Sequence, residues 1–169
     1  QRGLSLLMLF VMLAFVAVKL WTVPWALIAP SHLLLLAIAM LLVGFCEELL
    51  VRGILLVSLR GSFQSEVWCW FGSGLGFGLL HAINGLFGLG YMAWVQVLLA
   101  FCAGSAFYAL RRLSGTLVLP MALHALWDFS LMANEVGGTR TPPVAFVLLA
   151  AAYLLPLLVA WLTFRRRRP

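Results

Sequence analysis

Charge is what this sequence has least of. Asp and Glu together number 5 in 169 residues, charged side chains make up 9% of the chain, and 64% of it is hydrophobic. Soluble domains of this size are about one-quarter charged, so a water-soluble globular fold is excluded and a polytopic membrane protein is expected. Cysteine is scarce as well. Cys46, Cys69 and Cys102 all fall inside apolar runs, form no metal or redox motif, and read as buried small hydrophobes. There is no internal repeat, which makes a transporter built from symmetric halves the weaker expectation. Acid is so short that the formal net charge is +6, a value that suggests nucleic acid until the bases are located. Arg165, Arg166, Arg167 and Arg168 form one block and Arg111 and Arg112 a doublet, each just past an apolar run. That placement anchors helix ends and sets topology; no nucleic-acid partner is expected.

The apolar runs divide the chain into six expected spans. The first runs from Leu4 to about Trp21, with Lys19 placed to snorkel to the interface. It lacks a small-residue cleavage signature and reads as a membrane helix; the start at Gln1 rather than Met reads as a trimmed or excerpted chain. The second runs from about His32 to Leu59, longer than the ~20 residues a bilayer needs. Val67 to about Ile83 forms the third, with Gly72, Gly74, Gly76 and Gly78 permitting close helix approach. Tyr91 to Leu110, Leu117 to about Met132 and Pro143 to Phe164 follow, with a polar loop expected over 134–142. Trp21, Trp25, Trp94 and Trp161 suit an interfacial belt. With the N-terminus inside, Arg2, Arg60, Arg111, Arg112 and the four terminal arginines lie inside, against Lys19 and Arg140 outside. Both termini are therefore expected in the cytoplasm of a multi-pass cell-membrane protein, with residues 1–169 a single membrane-embedded domain.

Against this background Glu47, Glu48 and Arg52 stand out, because they lie in the middle of the second span. Each charge at the bilayer centre costs about 2.5–3.5 kcal/mol, so the three need partners or a function. Glu48 and Arg52 are four residues apart with the acid first, the better order for a helical ion pair. Glu47 points about 100° away from Glu48, so Arg52 can neutralise Glu48 and leave Glu47 as a proton acceptor. His81, His124 and Asp128 are the other ionisable residues within spans, and His124 and Asp128 share a helix face. At 1.5 Å per residue, Glu47 lies roughly 20 Å from Arg60, His81 roughly 22 Å from Glu66, and His124 and Asp128 roughly 18 and 24 Å from Arg112. Three helices thus bring carboxylates and imidazoles to one layer, which favours a shared polar site. His32, beside Pro30, reads as an interfacial residue without a role.

These residues resemble the CAAX-protease and bacteriocin-processing (Abi) family of intramembrane endopeptidases. Its Glu-Glu-x-x-x-Arg motif stands as Glu47-Glu48-Leu49-Leu50-Val51-Arg52, followed by Gly53. Its Phe-x-x-x-His motif stands as Phe77-Gly78-Leu79-Leu80-His81, and its His-x-x-x-Asn/Asp motif as His124-Ala125-Leu126-Trp127-Asp128. Each motif alone is weak; all three in order, over about 41–129, are specific. The resemblance implies an all-α membrane bundle that hydrolyses a peptide bond of a membrane-associated or prenylated substrate. It implies that Glu47 and His81 activate a water, that His124 and Asp128 stabilise the oxyanion, and that no metal takes part. Asp128 stands where asparagine is common. An ionised aspartate would repel an oxyanion, so Asp128 is either protonated or orients His124.

Two other classes stay open. Glutamates, histidines and an aspartate could bind zinc, as in a membrane metalloprotease, although there is no His-Glu-x-x-His and no cysteine pair. A non-catalytic scaffold, regulator or immunity protein of the same fold would keep the bundle and bind a partner without cutting it. Release of a cut peptide separates an enzyme from a binder.

Overall fold

The computed structural model describes residues 2–165; Arg166, Arg167 and Arg168 of the terminal block lie outside the described residues. All regular structure among the described residues is helical. α1 spans Arg2–Trp21, and a short 3₁₀ turn at Trp25–Leu27 leads to α2, Pro30–Glu48. Pro30 sits in the first turn of α2, where its missing N–H has no helical partner to lose. The rod continues without a break through a π-helical segment, Leu49–Leu55, into α3, Leu56–Ser62. There follow α4, Glu66–Leu80, a 3₁₀ segment at His81–Gly85, α5, Met92–Ser114, α6, Val118–Val136, and α7, Pro143–Arg165.

Four of these rods are long and apolar enough to cross a membrane: α1, Pro30–Ser62, α5 and α7. α4 and α6 fall outside that set for different reasons. α4 has 15 residues, about 22 Å of rise, less than the ~30 Å of a hydrocarbon core. α6 has 19 residues but carries His124, Asp128, Asn134 and Glu135. The helices that bring His81 and His124 are therefore the ones hydropathy marks least.

α5 is the centre of the bundle, packing against α1, α4, α6 and α7, while α2 packs against α6 and α1 against α7. Met8, Met12 and Phe15 of α1 meet Phe107 and Leu110 of α5, Leu123 and Trp127 of α6, and Ala152 and Val159 of α7 in one core. Phe15 stacks on Trp127 at 4.5 Å between ring centroids. The outer faces are apolar too: Phe10, Leu34, Leu35, Leu41, Val147 and Leu154 are all exposed. Helices that are hydrophobic all round suit an apolar surrounding, not water. Trp21, Trp25, Trp94 and Trp161 are likewise exposed.

Two expectations need correction, the start of the last loop and the burial of the cysteines. The predicted loop over 134–142 begins later, because α6 runs on to Val136. Asn134 is buried, and its amide donates to the carbonyls of Lys19 at 2.5 Å and Ser130 at 3.2 Å, tying the helix end to α1. Lys19, in the last turn of α1, is buried, and its Nζ donates to Thr141 Oγ1 at 3.1 Å in the connection that follows α6. Of the cysteines, Cys69 is buried and Cys102 half-buried, but Cys46 is exposed, on a face of α2 that no helix covers.

Candidate active site

The close contact of α2 with α6 decides where the acids go. A Cβ on Gly44 would lie 2.8 Å from both Met121 O and Ala125 N, so only glycine allows this approach. One turn further along α2, Glu47 and Glu48 come level with His124 on α6. Glu48 is fully buried and faces the bundle interior.

Directly after Glu48 the backbone widens. The N–H of Leu56 reaches the carbonyl of Val51, five residues back, which is the π-helical pattern. π-helical turns occur mostly as short insertions, frequently at functional sites. Here the widened turn carries Arg52, fully buried. Its Nη1 donates to Glu48 Oε1 at 2.7 Å and its Nη2 to the carbonyl of Gly104 at 2.9 Å. The guanidinium carbon lies 4.3 Å from the centroid of the Phe77 ring and 5.4 Å from that of Phe107, within cation–π range. A Cβ on Gly104 would lie 2.9 Å from Arg52 Nη2 and 3.0 Å from Phe77 Cδ1, so α5 leaves space for the cation at that position.

His124 is buried between two acids. Nδ1 lies 3.1 Å from Glu48 Oε1, and Nε2 lies 3.3 Å from Asp128 Oδ2 and 4.0 Å from Glu47 Oε2. Phe107 stacks on the ring at 4.7 Å and Phe77 meets it edge-on at 5.5 Å. A neutral imidazole donates through one nitrogen only. Hydrogen bonds to both acids therefore require either an imidazolium, donating through both nitrogens, or a neutral imidazole that accepts at one nitrogen from a protonated carboxyl. The inner part of the cluster is closed, while the outer part is open: the side chains of Glu47 and Asp128 are 30% and 28% exposed. Glu47 Oε2 nevertheless has no hydrogen-bond partner and is buried against His124.

His81 occupies a neighbouring position, not a contact in this cluster. It follows the last residue of α4, where the chain tightens into the 3₁₀ segment, and is half-buried. Its Nδ1 lies 3.0 Å from the carbonyl of Phe77, and its ring meets the Phe77 ring at 5.2 Å. A carbonyl can only accept, so Nδ1 carries the hydrogen and Nε2 presents a lone pair. His81 forms no ion pair with Glu47 among the described residues.

Five of the six residues singled out by the sequence, Glu47, Glu48, Arg52, His124 and Asp128, thus form one connected cluster, and Phe77 joins it to the sixth, His81. Sequence reasoning misses Gly104 and Phe107. Nothing marks them in Ala103-Gly104-Ser105-Ala106-Phe107, since small residues are common wherever helices pack closely.

An all-helical protein with membrane-length helices and a buried glutamate–arginine–histidine cluster belongs with membrane-embedded proteins built around an internal polar site. The family model described as Type II CAAX prenyl endopeptidase Rce1-like matches residues 27–130, and the chain belongs to that family. The matched segment contains the whole cluster together with His81. The family is a membrane-embedded protease family. No curated protein and no solved structure matches the chain.

Proposed function

We propose that this chain is an intramembrane endopeptidase in which Glu47 and His81 activate the attacking water. The observation that carries the reading is the contrast between the two adjacent glutamates. Each carboxylate leaves its Oε2 without a partner, but Glu48 is fully buried and tied through Oε1 to Arg52 and His124, whereas Glu47 makes no hydrogen bond to a described residue and its side chain is 30% exposed. Glu47 is therefore free to take a proton from water. The Nε2 lone pair of His81 accepts the water's second hydrogen and orients it. Hydroxide attacks the scissile carbonyl carbon, and the carbonyl oxygen becomes the oxyanion. His124 Nε2–H, held in place by Glu48 behind it, donates to that oxygen in place of Asp128. Glu47 then returns its proton to the departing nitrogen as the C–N bond breaks, which leaves a carboxylic acid and an amine.

The same reading is metal-free. Glu48 and Arg52 serve as a supporting ion pair. The substrate is a membrane-associated or prenylated peptide or protein. The chain crosses the cell membrane six times as a single domain, with both termini cytoplasmic; α6 crosses with His124 turned into the bundle, and α4 crosses against α5 with an apolar outer face.

The test is to incubate the detergent-purified protein with candidate membrane and lipidated tail peptides and analyse the products by mass spectrometry. Two fragments whose masses sum to the substrate plus one water are expected with the wild type and absent with Glu47→Gln. Fragments produced equally by both proteins would show that Glu47 is not the base.

A further inference from the structure

A half-open polar recess that shares no lining residue with the glutamate cluster lies between α1, α5 and α7. It encloses about 200 Å3 and is lined by Arg2 and Ser5 of α1, Ser105, Tyr108 and Arg112 of α5, and Thr163 of α7, among others. A water molecule's share of liquid volume is about 30 Å3, so the space suits a small tetrahedral anion and a few waters. No acid lines it; both formal charges on its wall are positive. Glu66 reaches Arg112 Nη1 only at 3.4 Å and is already paired with the guanidinium of Arg60.

The hydrogen-bond inventory shows which donors are left over. Thr163 donates to Val159 O, and Ser105 donates to Phe101 O while accepting from Trp70 Nε1. Tyr108 donates to Glu66 and accepts from Arg112 Nη1. Arg112 keeps its other nitrogens, Arg2 makes no ion pair with a described residue, and the buried Ser5 hydroxyl has no hydrogen bond to a described residue. Two guanidiniums and a hydroxyl therefore converge on a space that offers no carboxylate in return. Guanidinium matches the oxygens of a phosphate in bidentate geometry.

We propose that this cavity binds the phosphate of an anionic phospholipid head group, with Arg2 and Arg112 as the charged contacts and Ser5 as the neutral donor. The cavity is too small for the acyl chains, which would run down the exposed apolar faces of α1 and α7. Basic pockets between membrane helices are suited to such head groups. This site does not depend on the peptidase reading.

The test uses native mass spectrometry of the full chain with equal amounts of phosphatidylglycerol and phosphatidylcholine of matched chain length. Phosphatidylglycerol should be retained in preference. Arg2→Gln should weaken its retention about fivefold, and Arg2→Gln with Arg112→Gln about 25-fold. Because Arg112 also contacts Tyr108, Ala160→Leu provides a second route: it fills the cavity without changing charge and should remove the preference. Arg140→Gln, outside the cavity, should leave it intact. Circular dichroism of each variant reports folding. Equal retention of the two lipids, or a preference that survives Ala160→Leu in a folded protein, would overturn the site. Inorganic phosphate that displaces the lipid at the lipid's own concentration would mean a soluble anion is the ligand, and the lipid assignment would fail.

Discussion

Oε1 of Glu48 meets two groups on different elements: Arg52 Nη1 donates to it at 2.7 Å, and His124 Nδ1 lies 3.1 Å from it. One buried oxygen thus links the π-helical segment to α6, and the histidine's orientation depends on a charge pair on another helix. In the proposed mechanism Glu48 and Arg52 combine a structural role with a positioning role, and the two can be separated. Removing one member of a buried pair leaves a charge uncompensated, at a cost of about 3–5 kcal/mol, so Arg52→Ala and Glu48→Gln should each lower the melting temperature sharply. Replacing both together, as Glu48→Leu with Arg52→Met, should recover much of that stability. Activity should not return with it, because His124 loses the partner of Nδ1. A double variant as active as the wild type would show that the pair does not position His124.

Gly104→Ala tests the same arrangement from the α5 side. The added methyl would lie 2.9 Å from Arg52 Nη2 and 3.0 Å from Phe77, so the guanidinium or the ring must move. Overpacking of this kind costs about 1–3 kcal/mol, read as a lower unfolding midpoint. Turnover should fall more than the stability loss explains, since Phe77 also packs on His81 and His124. Gly61→Ala, which meets nothing within 4 Å, is the control and should be neutral.

The proposed topology predicts that a cysteine at Ser62 is labelled from the cytoplasmic side and one at Gly138 from outside. Cys46 is exposed, so it has to be replaced along with Cys69 and Cys102 before labelling. Equal labelling of both positions by an impermeant outside reagent would sink the six-span arrangement.

Much of this site is legible in the sequence because lipid makes charge conspicuous. Glu47, Glu48, Arg52, His124 and Asp128 are nearly all the ionisable groups within the apolar runs, and helical rise alone brings them to a common depth. Depth does not determine partners. Counting residues puts His81 in the same layer, yet its Nδ1 is satisfied by its own helix at Phe77 and not by an acid. The π-helical turn is not legible either, because Leu49 to Leu55 is apolar on every side of Arg52 and fits either helical period. The late end of α6 depends on Asn134 finding the Lys19 carbonyl on α1, a tertiary contact that local polarity misreads as a loop.

Glu47→Gln keeps the side chain's size while removing its ability to take a proton. Because Glu47 is partly exposed and makes no hydrogen bond to a described residue, the near-isosteric variant should lower the melting temperature far less than Glu48→Gln does. Turnover should be abolished. A retained rate would move the base elsewhere, with His81 the next candidate.

The third motif gives the sharpest division between roles. In the proposed mechanism His124 Nε2 donates to the oxyanion, and it lies 3.3 Å from Asp128 Oδ2. An interaction made only in the transition state lowers turnover and leaves the Michaelis constant nearly unchanged. Loss of one oxyanion donor costs about 10²–10³ in rate. His124→Ala should reach at least that range, and it should also destabilise the protein, since Glu48 then keeps Arg52 as its one hydrogen-bond donor. Asp128 is different, because 28% of its side chain is exposed and its partner among the described residues is His124. Asp128→Asn keeps a carbonyl oxygen for Nε2 and adds an N–H donor without negative charge, so it should be tolerated. Asp128→Ala should be poor. If Asp128→Asn is as inactive as Asp128→Ala while both remain folded, the carboxylate itself is required, as a proton carrier or a metal ligand. Exhaustive chelation distinguishes those two: activity lost on chelation and restored by zinc would replace the metal-free mechanism with a zinc-dependent one.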